Sequence, residues 1–378
     1  MRNKIVACIL LSFFLSAVDG QERKQVDVFI TNKAPIPLKE YLISIPWSQI
    51  LEKNPSINSK QLVVIAATSK KQLPYQLEYK GTEIPQHLLV QLSIAVGATE
   101  KIVIQQGIPT RVSSKTFCRY VPERKDDFAW ENDRIAFRVY GKALEGTKEN
   151  ANGIDVWVKR TNQLILNERY KRGEYHIDHG DGMDYYHVGF SLGAGNIAPY
   201  FNDSIYYPTN YREWKVLDNG PLRSSFQLSY DPWEVNGEKI TMTKTISLDA
   251  GMQLSRIEVS FSFSKTDSLP VAVGIIKRND PGTILLEQAN GLMAYWEPTH
   301  LQDGTTGVGC LFLSPVKEVK VNNLHILSIS QIPQGQSFVY YAGAAWDKAK
   351  LITSASAWFT YLQGVKNLMK TPPEIKIR

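Results

Sequence analysis

Charged side chains of both signs surround two aromatic residues in one short stretch of this chain. The stretch covers residues 119–134, encloses Phe128 and Trp130, and leads directly into a strand-like run at 135–140. Opposite charges beside aromatic rings can hold one another partly desolvated, a setting that shifts pKa values and binds anionic ligands. A solvated ion-pair loop at the end of a sheet would have the same composition. The stretch supplies these candidate substrate-binding residues: Arg119, Arg124, Lys125, Asp127, Trp130, Glu131 and Arg134.

A second stretch, residues 174–189, gathers half of the chain's histidines. His176, His179 and His187 are three of only six in the sequence. Gly180 and Gly182 indicate a loop with unusual backbone angles, where polar groups can converge without helix or strand spacing. A histidine or tyrosine beside carboxylates can exchange a proton near neutral pH. The candidate catalytic residues are His179 as base with Tyr186 as second choice, Tyr185, His176 or His187 as proton donor, and Asp184 as the residue that orients a histidine.

The same stretch contains ligands that a divalent metal could use. His176 and His179, with Asp181 or Asp184, supply imidazole nitrogens and carboxylate oxygens, the donors that several divalent metals accept. Their spacing matches no specific metal motif, and a hydrogen-bonded loop is the simpler interpretation. We therefore predict no obligatory cofactor, with a metal at His176, His179 and Asp181 kept as an alternative.

Two positions in the C-terminal half complete the candidate site. Glu297 and His300 follow a strand-like run, and we take them, with His187, as further candidate substrate-binding residues that could line a sugar-binding groove of the sandwich. Solvated hairpin residues would have the same pattern. Residues 193–200 are rich in glycine but lack the lysine and the spacing of a phosphate-binding loop. We interpret them as a turn that lets the backbone approach a ligand.

The N-terminus predicts export of the protein. Arg2 and Lys4 precede an apolar run at residues 5–15, and small residues follow at Ser16, Ala17 and Gly20. This is the pattern of a secretory signal peptide over residues 1–20, and the apolar run is shorter than a membrane span requires. We expect a periplasmic or secreted protein without a membrane span.

The charge distribution indicates which class of molecule the protein binds, and the cysteine content bears on disulfide formation. Removal of residues 1–20 lowers the formal net charge from +6 to +5, and the basic residues are scattered among acidic ones. This distribution disfavours nucleic acid as a partner and leaves an anionic oligosaccharide or polysaccharide open. Cys118 and Cys310 remain after cleavage, either as a pair or as two separate buried thiols.

Alternating and β-branched runs predict strands nearly throughout, separated by turn signals such as Asn236-Gly237. A helix is predicted at residues 346–369, before Pro372 and Pro373. Many antiparallel strands with one late helix indicate an all-β sandwich, which we place in a single domain over residues 21–378. The fourteen strand candidates are 26–31, 62–67, 88–94, 102–105, 135–140, 154–158, 224–230, 240–248, 254–263, 271–276, 291–296, 308–313, 325–329 and 337–342.

Two runs carry a resemblance to a known family. Residues 119–141, RYVPERKDDFAWENDRIAFRVYG, and residues 179–186, HGDGMDYY, resemble the signature of a secreted family of formerly unknown function. That family is encoded in bacterial polysaccharide-utilisation gene clusters. The resemblance implies a large antiparallel β-supersandwich of the galactose-mutarotase type. It also implies a relationship to ulvan oligosaccharide dehydratases. A fold shared by epimerases, lyases and parts of glycosidases does not by itself select the chemistry.

We therefore expect a carbohydrate-active enzyme that performs β-elimination on uronic acid oligosaccharides. A base removes the proton at C5, cations stabilise the enediolate that develops on the carboxylate, and an acid protonates the leaving oxygen at C4. Arg119, Arg124, Lys125 or Arg134 would supply the cation. The alternatives are a glycoside hydrolase with two carboxylates, a sugar epimerase or mutarotase, and a non-catalytic carbohydrate-binding protein.

Overall fold

The structure, a computed structural model, describes residues 25–378 and consists mainly of antiparallel strands. Strands and helices are numbered in chain order. A small sandwich comes first, and it pairs a four-stranded sheet with a three-stranded sheet. Its elements are β1 (Gln25–Thr31), β2 (Leu38–Pro46), α1 (Trp47–Lys53), β3 (Leu62–Ala66), β4 (Tyr75–Glu78), β5 (His87–Ile94), β6 (Thr99–Gln106) and, from the end of the chain, β25 (Glu374–Ile377).

The small sandwich has a hydrophobic core of its own. In β1, Val26, Val28 and Ile30 are buried while the residues between them are more exposed, the period of two that a strand imposes on its side chains. These residues pack against Val90 of β5 and Ile104 of β6 within one cluster. The last strand, β25, closes the sandwich by pairing with β1.

A large sandwich is built from three sheets. The first, called here the front sheet, contains β7 (Thr116–Val121), β8 (Asp127–Asn132), β9 (Ala136–Val139), β10 (Asp155–Lys159) and β11 (Gly182–Met183). The second contains β12 (Ala194–Phe201), β13 (Ser204–Ile205), β18 (Ser268–Ile276), β22 (Glu318–Val321) and β23 (His325–Pro333). The third has eight strands: β14 (Glu213–Asn219), β15 (Arg223–Val235), β16 (Glu238–Asp249), β17 (Leu254–Ser262), β19 (Thr283–Glu287), β20 (Leu292–Trp296), β21 (Thr306–Phe312) and β24 (Ser337–Trp346).

One core joins the three sheets of the large sandwich. Trp130 of the front sheet, Ile246 of the eight-stranded sheet and Val273 of the second sheet belong to the same buried cluster. The rings of Phe128 and Phe226 stack at 4.2 Å between centroids and connect the front sheet to β15. The prediction of an all-β antiparallel supersandwich with a C-terminal helix is therefore confirmed.

Local sequence explains several elements. The Asn236-Gly237 turn joins β15 to β16, and both residues have positive φ angles of 48° and 80°, as a tight hairpin turn of this type requires. The C-terminal helix, α3, spans Ala355–Lys370 and begins later than predicted because Trp346 ends β24. Ser354 caps the helix, since its hydroxyl oxygen accepts a hydrogen bond from the Ala357 amide at 3.2 Å.

Two other segments differ from the sequence analysis. Residues 194–201 form the buried strand β12, so the glycine-rich segment belongs to a sheet and is not a turn. Gly195 allows this because its φ is 98° and a Cβ atom there would lie 2.6 Å from Ala342. The charged stretch before residue 135 contains two strands, β7 and β8, joined by a short 3₁₀ turn at Pro122–Arg124.

Four remaining expectations concern the cysteines, a membrane span, the signal peptide and the number of domains. Cys118 and Cys310 are both buried and free, so they do not pair. Within residues 25–378, none of the helices is long and apolar enough to cross a membrane. The signal peptide expected at residues 1–20 lies outside the described residues. The single domain over residues 21–378 stays a prediction, while two separate hydrophobic cores are observed.

Candidate functional site

The outer face of the front sheet carries charged residues where a strand face normally packs apolar ones. Phe128, Trp130 and Phe137 point into the shared core of the large sandwich. Strand alternation therefore directs their neighbours to the opposite, outer face. The short helix α2 (Leu166–Arg172) and the loop that follows it cover this face. The charged residues on it are Asp127 and Glu131 of β8, Arg138 of β9, and Asp155 and Lys159 of β10.

One arginine on the outer face is surrounded by three carboxylates. Arg138 is 3% exposed. Its guanidinium lies 2.5 Å from Asp155, 3.0 Å from Asp184 and 3.3 Å from Asp127. The register explains the first contact, because Arg138 and Asp155 are direct partners across β9 and β10. We call these four residues the Arg138 cluster.

Aromatic rings enclose the Arg138 cluster. The guanidinium lies 5.0 Å from the ring centroid of Trp157 and 5.7 Å from that of Tyr175, distances at which a cation is attracted to the ring face. Tyr170 of α2 donates a hydrogen bond to Asp127 at 3.3 Å. The cluster is therefore shielded from bulk water, which strengthens the electrostatic interactions among its charges.

Carboxylates outnumber the cations that neutralise them in this shielded cluster. Burial raises the pKa of Asp127 to about 6, and Arg138 and Arg124 oppose that rise only in part. The pKa of Asp184 is raised well above its usual range by burial and then by the charge of Asp155. Arg124 is the second cation, with its Nη1 atom 3.6 Å from Asp127 Oδ1. Neither of these two atoms has a hydrogen-bond partner among the described residues.

His176 stands at the solvent edge of the Arg138 cluster. Its side chain is 67% exposed, and its Nδ1 atom lies 2.7 Å from the carbonyl oxygen of Asp184. A carbonyl only accepts hydrogen bonds, so Nδ1 carries the proton and Nε2 keeps a free lone pair. The Asp184 amide donates a hydrogen bond to the Tyr175 carbonyl at 2.7 Å, which joins the chain around residue 184 to the chain around residue 175. The imidazole is therefore held in the tautomer that can accept a proton.

The residues after Asp184 connect the Arg138 cluster to a second polar group. The Tyr185 hydroxyl lies 2.6 Å from Thr306 Oγ1, and its ring stacks on His300 at 5.5 Å. Tyr185 directly follows Asp184 in the chain, so the two groups of side chains are connected through the backbone. Burial raises the pKa of Tyr185 beyond its ordinary value and keeps the hydroxyl protonated.

Glu297 forms a buried pair with Arg278 next to this tyrosine segment. Arg278 Nε donates to Glu297 at 2.7 Å, and the guanidinium lies 4.7 Å from the ring centroid of Tyr186. Arg278 also donates to the carbonyl oxygen of His187, whose side chain is exposed. Burial raises the pKa of Glu297 to about 7 despite the arginine. Burial therefore favours the protonated carboxyl of Glu297, while Arg278 favours the ionised one.

Three residues predicted to bind substrate make contacts with other parts of the protein instead. Trp130 is 1% exposed in the shared core, where its Nε1 atom donates to Ser255, so no ring face is open to a sugar. Glu131 is fully buried and pairs with Lys159 at 2.6 Å. Arg134 lies at the boundary with the small sandwich and pairs with Glu40 at 3.1 Å. Trp130 and Glu131 are therefore too buried to contact a ligand, which corrects their assignment, while the role predicted for Arg134 stays a prediction outside the Arg138 cluster.

The predicted base His179 lies farther out on the loop. Its Nε2 atom is 3.5 Å from Glu174, and both side chains are solvent-accessible. Tyr186 is 2% exposed, and burial raises its pKa well above the ordinary value. A buried, protonated hydroxyl is a poor base. Among the predicted bases and donors, His176 therefore has the geometry most suited to proton abstraction.

The three residues considered for a metal point to different partners. His176 faces the Asp184 carbonyl, His179 faces Glu174, and Asp181 lies 3.4 Å from Arg172. Across residues 25–378, no group of three histidine, cysteine or acidic side chains is arranged to hold a metal.

The remaining predicted cations lie on the rim of the site. Arg119 pairs with Glu123 at 2.5 Å and stands over the ring of Tyr170, while Lys125 pairs with the exposed Glu149 at 2.9 Å. Lys125 is 42% exposed and can exchange this partner for a ligand. The rim therefore presents two accessible ion pairs beside the shielded Arg138 cluster.

Sequence reasoning missed the centre of the site. Arg138 and Asp155 sit in runs that were identified only as strands, at 135–140 and 154–158. The available signal was a charged residue inside an otherwise apolar run, since charged residues are almost never fully buried unless they are paired. Arg278 and Tyr175 carried no comparable signal, because their roles depend on contacts with residues distant in sequence.

Comparison with solved structures places the molecule among large β-sandwich proteins. The chain is similar to a protein in glycosyl hydrolase family 38 from Enterococcus faecalis, with a TM-score of 0.56 and 11% identity over 94% of this chain and 48% of that one. An alpha-mannosidase from Enterococcus faecalis V583 gives a TM-score of 0.52 and 9% identity, over 94% and 46%. This chain spans about half the length of both. At such low identity the likeness concerns the fold.

The sequence identifies the particular family. Residues 30–375 match DUF4861, a domain of unknown function, and the chain therefore belongs to the DUF4861 family. It is 32% identical over 301 residues to Uncharacterized protein P7 of Formosa agariphila, a match that covers 74% of each chain. The prediction of a family of unknown function is thereby confirmed, while its link to polysaccharide-utilisation gene clusters and ulvan dehydratases stays a prediction.

Proposed function

We propose that this protein is a carbohydrate-active enzyme that cleaves uronic acid oligosaccharides by β-elimination. The observation that carries the proposal is the placement of His176. Its Nδ1 atom is fixed on the Asp184 carbonyl, and its exposed Nε2 atom is free beside a shielded arginine–carboxylate cluster. An exposed imidazole whose Nδ1 atom is held on a carbonyl, next to a carboxylate that binds a buried arginine, is suited to abstraction of a proton next to a carboxylate.

The base and the cation act on the same end of the uronate. His176 Nε2 takes the proton from C5, and negative charge then develops on the sugar carboxylate. Arg124 supports this step, since its side chain is 20% exposed and its Nη2 atom lies 3.5 Å from the exposed Glu149, a partner that a sugar carboxylate can replace. Lys125 on the rim adds a second positive charge. Preorganised cations of this kind stabilise an enediolate more than they stabilise the substrate.

The proposed proton donor is Tyr185, the residue that follows Asp184 in the loop. Tyr185 remains protonated and shares a hydrogen bond with Thr306. In the proposed reaction, its hydroxyl protonates the oxygen that leaves C4, and a double bond forms between C4 and C5. His176 carries the proton removed from C5 and releases it to solvent through its exposed face, while Tyr185 is reprotonated from solvent.

The Arg138 cluster would hold this arrangement in place. Arg138 binds the Asp184 carboxylate, and the Asp184 backbone holds His176. In this proposal Arg138 is a positioning residue, since it is buried beneath the loop.

Hydrolysis is the second candidate, and one observation favours it. Glu297 has a pKa raised to about 7, so a large share of its carboxyl groups is protonated near neutral pH, as the general acid of a glycosidase must be. The ionised partner would be one of the carboxylates of the Arg138 cluster.

The experiment that separates these reactions uses purified protein and a panel of uronic acid oligosaccharides. Elimination creates a conjugated unsaturated uronate, so ultraviolet absorbance should rise as new reducing ends appear. Parallel reactions with a chelator test a metal requirement. New reducing ends without absorbance would contradict elimination and support hydrolysis. Binding without either product would contradict both reactions and support a carbohydrate-binding protein.

A further inference from the structure

A cavity separates the small sandwich from the large one on the side of α3. It encloses about 300 Å³ and is lined by β2, by the turn between β16 and β17, and by the end of α3 with the segment that follows. This volume lies at the lower end of the range for small-molecule pockets, which occur preferentially where two structural units meet. None of the candidate catalytic residues lines it.

The cavity has two chemically different walls. One wall is apolar and includes Met252, Leu368, Met369 and Pro372. The other contains Tyr41 of the small sandwich, Tyr341 of the large one and the Arg223–Asp249 ion pair. A ligand that fits both walls has one face of C–H groups and an edge of hydroxyl groups.

The arginine and aspartate of the polar wall are already paired with each other, while the other two charged lining residues, Lys39 and Glu40, are exposed at the surface. Arg223 Nε and Nη2 donate to the two Asp249 carboxylate oxygens at 2.5 and 2.7 Å, and Nη1 donates to Glu78 at 2.9 Å. A guanidinium used in this way offers no free charge to an anion. Tyr41 stays protonated, because burial and then Asp249 raise its pKa. The wall therefore suits a neutral ligand that exchanges hydrogen bonds with phenol and carboxylate groups.

From this geometry we infer that the cavity is a second binding site, which takes one neutral pyranose unit. A pyranose ring combines an apolar C–H face with peripheral hydroxyl groups, and aromatic and apolar side chains commonly pack against such faces. Met252 and Leu368 would contact the ring face, while Tyr41, Tyr341 and Asp249 would bind its hydroxyls. The inference does not depend on the proposed reaction, because the two sites share no residue.

Thermal-shift and calorimetric titrations with D-glucose, D-galactose, D-mannose and D-xylose test the inference, with D-glucuronate as the anionic comparison. We expect at least one neutral sugar to bind saturably and D-glucuronate to bind more weakly to this cavity. Ser44 lines the cavity on β2, so Ser44→Trp should fill the space and abolish binding, whereas Ser44→Ala should preserve it. Tyr41→Phe keeps the volume, removes one hydroxyl and should weaken binding about tenfold.

Two results would overturn the inference: no saturable binding by any neutral sugar, or unchanged affinity in both Ser44→Trp and Tyr41→Phe. If Ser44→Trp does not fold, the Tyr41→Phe titration decides alone. His176→Ala, which alters only the proposed catalytic site, should bind the neutral sugar with wild-type affinity. Failure of the cavity inference is therefore distinguishable from failure of the proposed elimination reaction.

Discussion

Two groups of buried charge lie on the same face of the same sheet, and they are built differently. Glu131 and Lys159 form one pair at 2.6 Å. The Glu131 carboxylate also accepts the amides of Ile165 and Leu166, each at 2.8 Å to Oε1, where α2 begins. The Arg138 cluster instead has three carboxylates around one guanidinium. The first group is balanced and fully bonded, and the second is not.

We propose that this difference separates a structural ion pair from a group of charges that takes part in function. A buried pair whose hydrogen bonds are all made holds a helix in place and has no bond left for a ligand. In the Arg138 cluster, the pKa of Asp127 is raised to about 6, and its Oδ1 atom has no hydrogen-bond partner within the described part of the chain. Perturbed carboxylates next to an exposed histidine are the usual features of a site that binds or reacts.

The largest expected effect is a loss of stability when the Glu131–Lys159 pair is broken. Lys159→Met leaves the Glu131 carboxylate buried without its cation, which should lower the free energy of unfolding by about 3–5 kcal/mol. Urea denaturation followed by circular dichroism measures this change. The double variant Glu131→Gln/Lys159→Met is the control and should recover most of the loss, because the Glu131 carboxylate is no longer left buried without the Lys159 cation. Equal stability of Lys159→Met and wild type would contradict the structural role of the pair.

The next effect concerns catalysis and compares two histidines of one loop. His176→Ala should lower kcat by about 10²–10⁴-fold, the usual contribution of a positioned general base. Its melting temperature should stay close to wild type because the side chain is 67% exposed. His179→Ala is the matched control and should retain most activity, because His179 pairs with the exposed Glu174. Loss of activity in His179→Ala with full activity in His176→Ala would reverse the assignment.

A third effect is the pH dependence of stability. The folded pKa of Asp127, about 6, is above the value of an unfolded aspartate. The folded state therefore binds more protons between about pH 4 and pH 6, and this carboxyl destabilises the protein progressively as the pH rises through that window. Asp127→Asn should remove this effect. Its free energy of unfolding should exceed that of wild type by an amount that grows from near zero at about pH 4 to roughly 2–3 kcal/mol at about pH 7.

Denaturation of wild type and Asp127→Asn at several pH values measures that difference. The same substitution at the exposed Asp231 is the matched control, because that carboxylate pairs with Arg212 at the surface. A gap between wild type and Asp127→Asn that stays constant from about pH 4 to pH 7 would contradict the unbalanced charge assigned to the Arg138 cluster.

The sequence predicted the architecture more completely than it predicted the site. All fourteen strand candidates correspond to observed strands, since two-residue periodicity is a local property. Short edge strands such as β14 and β22 were missed because they bury one face weakly. At the site, Asp184, Tyr185 and His176 were selected from a correctly identified loop. Arg138 and Asp155 were not, because their pairing across β9 and β10 depends on sheet register.

The smallest expected effect comes from a predicted site residue that lies outside both charge groups. Arg134 is 27% exposed and pairs with the half-exposed Glu40 of the small sandwich at 3.1 Å. An accessible pair of this kind contributes at most about 1 kcal/mol. Arg134→Gln should therefore change the free energy of unfolding by less than that and leave kcat and KM for the oligosaccharide unchanged, whereas Arg124→Gln should raise KM or lower kcat. A rise in KM in Arg134→Gln similar to that in Arg124→Gln would show that the binding surface extends beyond the Arg138 cluster, toward the boundary between the two sandwiches.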